Sequence, residues 1–231
     1  AGSTSADEIE LLPPVGNDFG KPDGGISQLD IQTAFAFNNG LGLVTMTAGE
    51  VWDLMEFSVL GNFSHIAGVV VEFDPNQTAR DGGDTNQGAM TTGRRIRRLE
   101  VITGPETREV LVDDGVFIGD DTNTYRVVAL AFMNNCAAPE TDPRATPNCG
   151  SEYPFKGLVN PEFVNIVVDD VTPADRATVL TSRDPNASDF SNTGGEQDAL
   201  AEYLRAFHAD AASAFNVPFD VNERLIPVGS P

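Results

Sequence analysis

The longest unbroken apolar stretch in this chain, residues 127–133, has the length of a β-strand. A helix that crosses a bilayer needs about 20 consecutive apolar residues, so no membrane span is expected. The core must instead be assembled from many short elements that meet across polar loops. With 40% apolar residues over 231 positions the chain can bury a sizeable core, and one domain is expected.

Charge narrows the partners. The sequence holds 35 Asp and Glu against 14 Lys and Arg, a formal charge of −21. Such a surface repels phosphodiester backbones and anionic headgroups, which argues against nucleic-acid and membrane partners. Of the basic residues only Lys21 and Lys156 are lysine, a composition met in soluble proteins that work in salt. Residues 1–12 have neither the basic start nor the apolar centre of a signal peptide, so the numbering is expected to begin in a mature chain or partway along a longer one. Cys136 and Cys149 are the only cysteines, set in a loop rich in Pro and Asn. They are expected to form a disulfide, worth about 3 kcal/mol for a loop of this size. That places the chain in an oxidising compartment, secreted, extracellular or periplasmic. Zinc is the rival ligand, but two cysteines without further Cys or His at ligand spacing cannot build a structural zinc site.

Residues 1–24 are an extended lead-in rich in Gly and Pro. A domain spanning residues 25–210 follows, and residues 211–231 are expected to be an irregular tail. Ile31, Ala34, Phe35 and Phe37, then Leu41, Leu43, Val44 and Met46, flank Asn38-Asn39-Gly40 and predict two strands joined at that turn. Thr47-Ala-Gly-Glu50 is a capping box that starts a helix carrying Val51, Leu54, Met55 and Val59 at helical spacing. Further strands are predicted over residues 66–73, 94–103, 108–112, 125–132 and 163–168, with polar loops over 74–93 and 181–195. Thr193-Gly-Gly-Glu196 is read as the cap of a second helix, in which Ala199, Leu200, Tyr203, Leu204 and Phe207 form one core-facing stripe. Strands and helices do not alternate regularly, so the class is α+β, a mixed sheet with a few packing helices.

Residues able to carry catalysis are scarce. His65 and His208 are the only histidines, and no pattern able to hold a dinuclear metal centre is present. A Gly-x-Ser-x-Gly elbow and a Walker loop are also absent. No catalytic residue and no metal ligand is therefore assigned, and no cofactor is expected in this chain. Asp81, Asp84, Asp120, Asp121 and Asn123 lack the spacing and terminal Glu of an EF-hand and read as solvated loop residues. Arg94, Arg95, Arg97 and Arg98 form the one basic cluster. On a regular strand Arg94 and Arg98 would share the face of Ile96, and Arg95 and Arg97 that of Leu99, as surface partners of nearby acids. Phe37 beside its turn and Tyr153 after the cysteine loop are rings on separate loops, an arrangement able to sandwich a flat base, although spacing alone favours core packing for each.

Several segments together resemble the carboxy-terminal domain of the 5'-nucleotidase family, the secreted metallophosphoesterases that include UDP-sugar hydrolases. They are Gly25-Ile-Ser-Gln-Leu-Asp-Ile31, Phe37-Asn-Asn-Gly-Leu41, Leu43-Val-Thr-Met-Thr47, Gly61-Asn-Phe-Ser-His-Ile-Ala-Gly68 and Phe73-Asp-Pro75. Residues 94–101 and 125–132, Tyr153-Pro-Phe155 and Glu196-Gln-Asp-Ala-Leu-Ala-Glu-Tyr-Leu204 continue the likeness, which covers residues 25–207. The resemblance implies a nucleotide or nucleoside partner, its base held between Phe37 and Tyr153 with Asn39 alongside. It also implies divalent metals held only in a metallophosphoesterase domain absent from this chain. Two family features depart here. The Asn-Gly-Gly-x-Ile-Arg segment, whose Arg serves the phosphate, is absent, and the Gly-Gly-Asp-Gly before the second ring is replaced by Asn148-Cys-Gly-Ser-Glu152. The alternative function is a non-catalytic extracellular module that keeps the fold for structure or self-association.

Overall fold

Thr47 caps the most deeply buried helix among the described residues. In the computed structural model, which describes residues 26–60, 66–81, 91–134, 154–155, 158, 164–165, 194–208 and 225–228, the Thr47 hydroxyl accepts from Glu50 N at 3.3 Å and Thr47 N donates to Glu50 Oε2 at 2.8 Å. This reciprocal cap launches α2 (Ala48–Ser58) where the sequence predicts it. The described residues fall into two compact units, one drawing on residues 1–42, 129–132 and 164–218, the other on 43–128, 133–163 and 219–231. Eight strands and four helices are formed by the described residues. Among them no helix is long and apolar enough to cross a membrane.

The second unit is built on a five-stranded sheet. Its order is β5 (Val116–Phe117), β4 (Arg108–Asp113), β3 (Ile96–Ile102), β2 (Val69–Phe73) and β8 (Leu225–Pro227). Successive pairs are antiparallel except β2 with β8, which run parallel. Val69, Val71 and Phe73 alternate into the core, and Leu99 and Ile96 lie opposite Val71 and Phe73. Ile96 and Leu99 can share that buried face, three residues apart, because the register slips between Glu72 and Phe73 and leaves Arg97 as an extra residue. This bulge corrects the regular alternation expected of the arginine cluster. β8 likewise lies where the sequence suggests only an irregular tail.

Every residue of α2 from Ala48 to Glu56 is buried, acids included. Each acid is answered. Asp53 receives the Arg80 guanidinium twice, Nε to Oδ1 at 2.7 Å and Nη2 to Oδ2 at 2.9 Å, and both side chains are almost fully enclosed. Glu56 accepts the backbone N–H of Ile96 at 2.9 Å and of Arg95 at 3.2 Å. Burial pushes the Glu56 carboxyl above the ordinary carboxylate range, and the two amides oppose that shift. A Cβ on Gly93 would overlap the Glu56 carboxylate, so glycine is required there. Trp52 stacks on Phe117 with centroids 5.6 Å apart, and Arg94 lies over the Trp52 ring.

The first unit contains α1 (Gln28–Ala34) and α4 (Glu196–Phe207). α1 replaces the first of the two strands expected on either side of the Asn38 turn. Its start is held by Asp30, whose Oδ2 accepts from Ser27 N and Ser27 Oγ, both at 2.8 Å. Its buried residue, Ile31, joins Ala201 and Leu204 of α4 in a core flanked by Ile26 and Leu200. α4 also departs from expectation. Its N-cap is Gly195, with no side-chain cap, and the predicted stripe divides. Ala201 and Leu204 are buried, whereas Tyr203 and Phe207 remain 45% and 64% exposed, ring beside ring at 5.3 Å. A further sheet has the order β6 (Thr124–Leu130), β1 (Leu41–Thr47) and β7 (Val164–Asn165), and β6 runs into the short α3 (Ala131–Asn134).

Asp53→Ala should destabilise the protein by about 3–5 kcal/mol, because Arg80 then keeps a buried charge without its carboxylate. The paired change Asp53→Leu with Arg80→Met should recover most of that loss in chemical denaturation. Equal loss in the single and paired variants would refute this account of the pair.

Candidate functional site

The turn that carries Phe37 lies between α1 and β1, inside the first unit. α1 stops at Phe35, whose N–H donates to Ile31 O at 2.9 Å, and Asn38 N donates back to Phe35 O at 3.0 Å. Asn38 adopts the left-handed conformation, φ 44°. This suits Asn better than most side chains because its short amide tolerates that region. The turn thrusts Phe37 outward, 89% exposed. Spacing alone favours core packing for this residue, and the structure places it on the surface.

The turn is fastened from the far end of the chain. Glu196 Oε1 accepts from Asn39 N at 2.8 Å and from Asn39 Nδ2 at 3.1 Å, and Glu196 N donates to Asn39 O at 2.9 Å. Gln197 Nε2 donates to Phe35 O at 2.8 Å. Gly40 bridges to Gly195, and Ala131 N donates to Gly40 O at 2.7 Å. Asp198 Oδ2 accepts from Gly194 N at 2.8 Å, and Gly194 has φ 85°, a conformation natural to glycine. Sequence reasoning assigns Glu196 to a capping box with Thr193, but its carboxylate reaches Asn39 instead. No local signal points to this pairing, since the partners are 157 positions apart.

Of the residues singled out from sequence, Phe37 and Asn39 therefore share one braced turn. Tyr153, Cys136, Cys149, His65, Glu152 and Thr193 lie outside the described residues. The arginine cluster is absorbed by structure. Arg98 bridges Glu100 and Asp113, each at 2.7 Å, Arg97 pairs with Asp114, and Arg95 donates to Val59 O at 3.1 Å. Arg94 donates to Thr91 O and Gly93 O. Hydrogen bonds from Arg108 and Arg98 hold the Glu100 carboxyl below its usual range. Asp121 accepts from Gly49 N at 2.6 Å and so serves the amino-terminal end of α2. Asp120 accepts from Thr122, which lowers its pKa. Among the described residues no group of three or more His, Cys, Asp or Glu is placed to hold a metal ion.

Known proteins share both the sequence pattern and the fold. The sequence profile of the 5'-nucleotidase C-terminal domain matches residues 4–137, more than half of the chain. No curated protein sequence matches it. Among solved structures, the fold resembles a 5'-nucleotidase precursor from Thermus thermophilus, with TM-score 0.53, 17% identity, and 91% of this chain aligned to 29% of that one. It also resembles the NAD nucleotidase of Haemophilus influenzae, with TM-score 0.50, 16% identity, and 90% of this chain aligned to 27% of that one. The chain thus spans less than a third of either protein.

Phe37→Ala should leave stability within about 0.5 kcal/mol of the parent, because an exposed ring contributes little packing. A loss of about 3–5 kcal/mol in thermal or chemical unfolding, the cost of removing a core ring, would contradict its placement.

Proposed function

Because the chain belongs to the 5'-nucleotidase C-terminal domain family, we propose that it is the nucleotide-recognition part of a secreted 5'-nucleotidase-like metallophosphoesterase. Hydrolysis, and the divalent metals that perform it, belong on this reading to a metallophosphoesterase domain outside these residues. The observation that carries the reading is the Phe37 ring, almost wholly exposed on a turn whose backbone is tied down on both sides. A large apolar ring in water has an unsatisfied face, and a nucleobase is a flat surface that covers it without demanding directional bonds. Tyr153 is the second ring in this proposal and Asn39 its polar neighbour.

Titration of the chain with adenosine should show saturable binding, and Phe37→Ala and Tyr153→Ala should each weaken it by about 1–3 kcal/mol. The same protein supplied with Zn²⁺, Mn²⁺ or Mg²⁺ should leave nucleoside monophosphates intact. Absence of binding in the folded protein would favour the non-catalytic structural module, and metal-dependent turnover that survives repurification would reveal a site of its own.

Secretion and a Cys136–Cys149 disulfide belong to the same reading, supported by the confinement of the only two cysteines to one Pro-rich loop. Alkylation of native protein without reductant should add no mass, whereas two modified thiols would remove both.

A further inference from the structure

We propose that Glu196 and Gln197, the first two residues of α4, are positioning residues for the Phe37 ring. They form a bracket around the turn and supply an orientation that the ring's own contacts cannot. The proposal rests on the nucleobase reading of Phe37 and adds to it the residues that determine where the ring stands.

A ring 89% exposed takes almost no orientation from packing. Its direction must come from the backbone on either side, and that backbone is held at two points spaced symmetrically about it. Two residues before the ring, Phe35 O accepts from Gln197 Nε2 at 2.8 Å. Two residues after it, Asn39 exchanges three hydrogen bonds with Glu196, two to the carboxylate and one from its N–H. Between these points sits Asn38 in the left-handed region, which its short amide tolerates. Glu196 and Gln197 are themselves buried. The helix they begin is anchored by Ala201 and Leu204 against Ile31. Local order in the turn is thereby coupled to a packed helix.

The function of such a bracket is pre-organisation. A ring already aimed for stacking loses less freedom when a base arrives, and that saving appears directly as affinity. Glu196 also lies at the amino-terminal end of α4, where a carboxylate favours the helix for electrostatic reasons unrelated to the ring. The two roles differ in what their loss would change. Loss of a purely helix-stabilising acid lowers stability and leaves the turn ordered, whereas loss of the bracket loosens residues 36–40 first.

The test uses the full 231-residue chain. Amide hydrogen exchange of residues 36–40 and adenosine affinity would be measured for the parent, Glu196→Ala, Glu196→Gln and Gln197→Ala, with each change repeated in a Phe37→Ala background. Val71→Ala, a core change in the second unit, serves as a control for general destabilisation. Glu196→Ala should speed exchange across the turn and weaken adenosine binding, each by about tenfold or more, because both hydrogen bonds from Asn39 to the carboxylate are lost. Glu196→Gln should recover part of both, since its amide oxygen still accepts from Asn39 N. The affinity losses should disappear when Phe37 is already Ala, because the bracket then has no ring to aim. Unchanged exchange and affinity in Glu196→Ala, or equal changes in Val71→Ala, would overturn the proposal. Should the parent not bind adenosine, the nucleobase reading fails by itself. Exchange at residues 36–40 then decides the bracket alone, faster exchange in Glu196→Ala upholding it and unchanged exchange refuting it.

Discussion

Glu56 accepts two consecutive backbone amides at the start of β3 and thereby joins a buried helix to a sheet through the sheet's own donors. A carboxylate is costly to bury, and the cost is tolerable only when its lone pairs are filled. The consequences spread outward from that requirement. Arg95 and Ile96 present their N–H groups to α2 where β3 begins opposite Phe73, and the extra residue at Arg97 restores the buried face for Leu99. Gly93 must be glycine because the carboxylate occupies the space of a side chain. One turn earlier on α2, Asp53 solves the same problem with Arg80. Helix α2 thus carries buried acids at Asp53 and Glu56, and each holds a neighbouring segment.

The first unit applies a comparable logic to a surface turn. Among its described residues the buried apolar cluster is Ile31 with Ala201 and Leu204, which does not by itself define the loop that follows α1. Hydrogen bonds from the beginning of α4 complete that definition. An exposed aromatic ring on a backbone held in this way differs from an exposed ring on a loose loop. The former can meet a flat ligand repeatedly in one geometry, while the latter must be ordered anew at each encounter.

Solved relatives at 16–17% identity establish a shared fold, and what those proteins act on is a property of chains more than three times the matched length. One departure from the family sequence, Asn148-Cys-Gly-Ser-Glu152, directly precedes Tyr153.

What the sequence by itself determined is whatever depends on neighbours a few positions away. α2 was legible because Thr47 and Glu50 are three residues apart and cap one another, and β2 because Val69, Val70 and Val71 are β-branched and bounded by turn residues. The family resemblance was legible for the same reason, being carried by short contiguous strings. Distant contacts decided the rest. The alternation of Ile31, Phe35 and Phe37 suggested a strand, yet residues 28–34 are helical because Ile31 finds Ala201 and Leu204 far along the chain. Tyr203 and Phe207 matched the spacing of a core stripe, but the face that packs on α1 is that of Ala201 and Leu204. The role of Glu196 was likewise invisible, since nothing within a few residues of it predicts Asn39. Periodicity states which faces of an element are apolar, but only the tertiary structure selects which face is covered, because burial requires a second surface that local sequence does not contain.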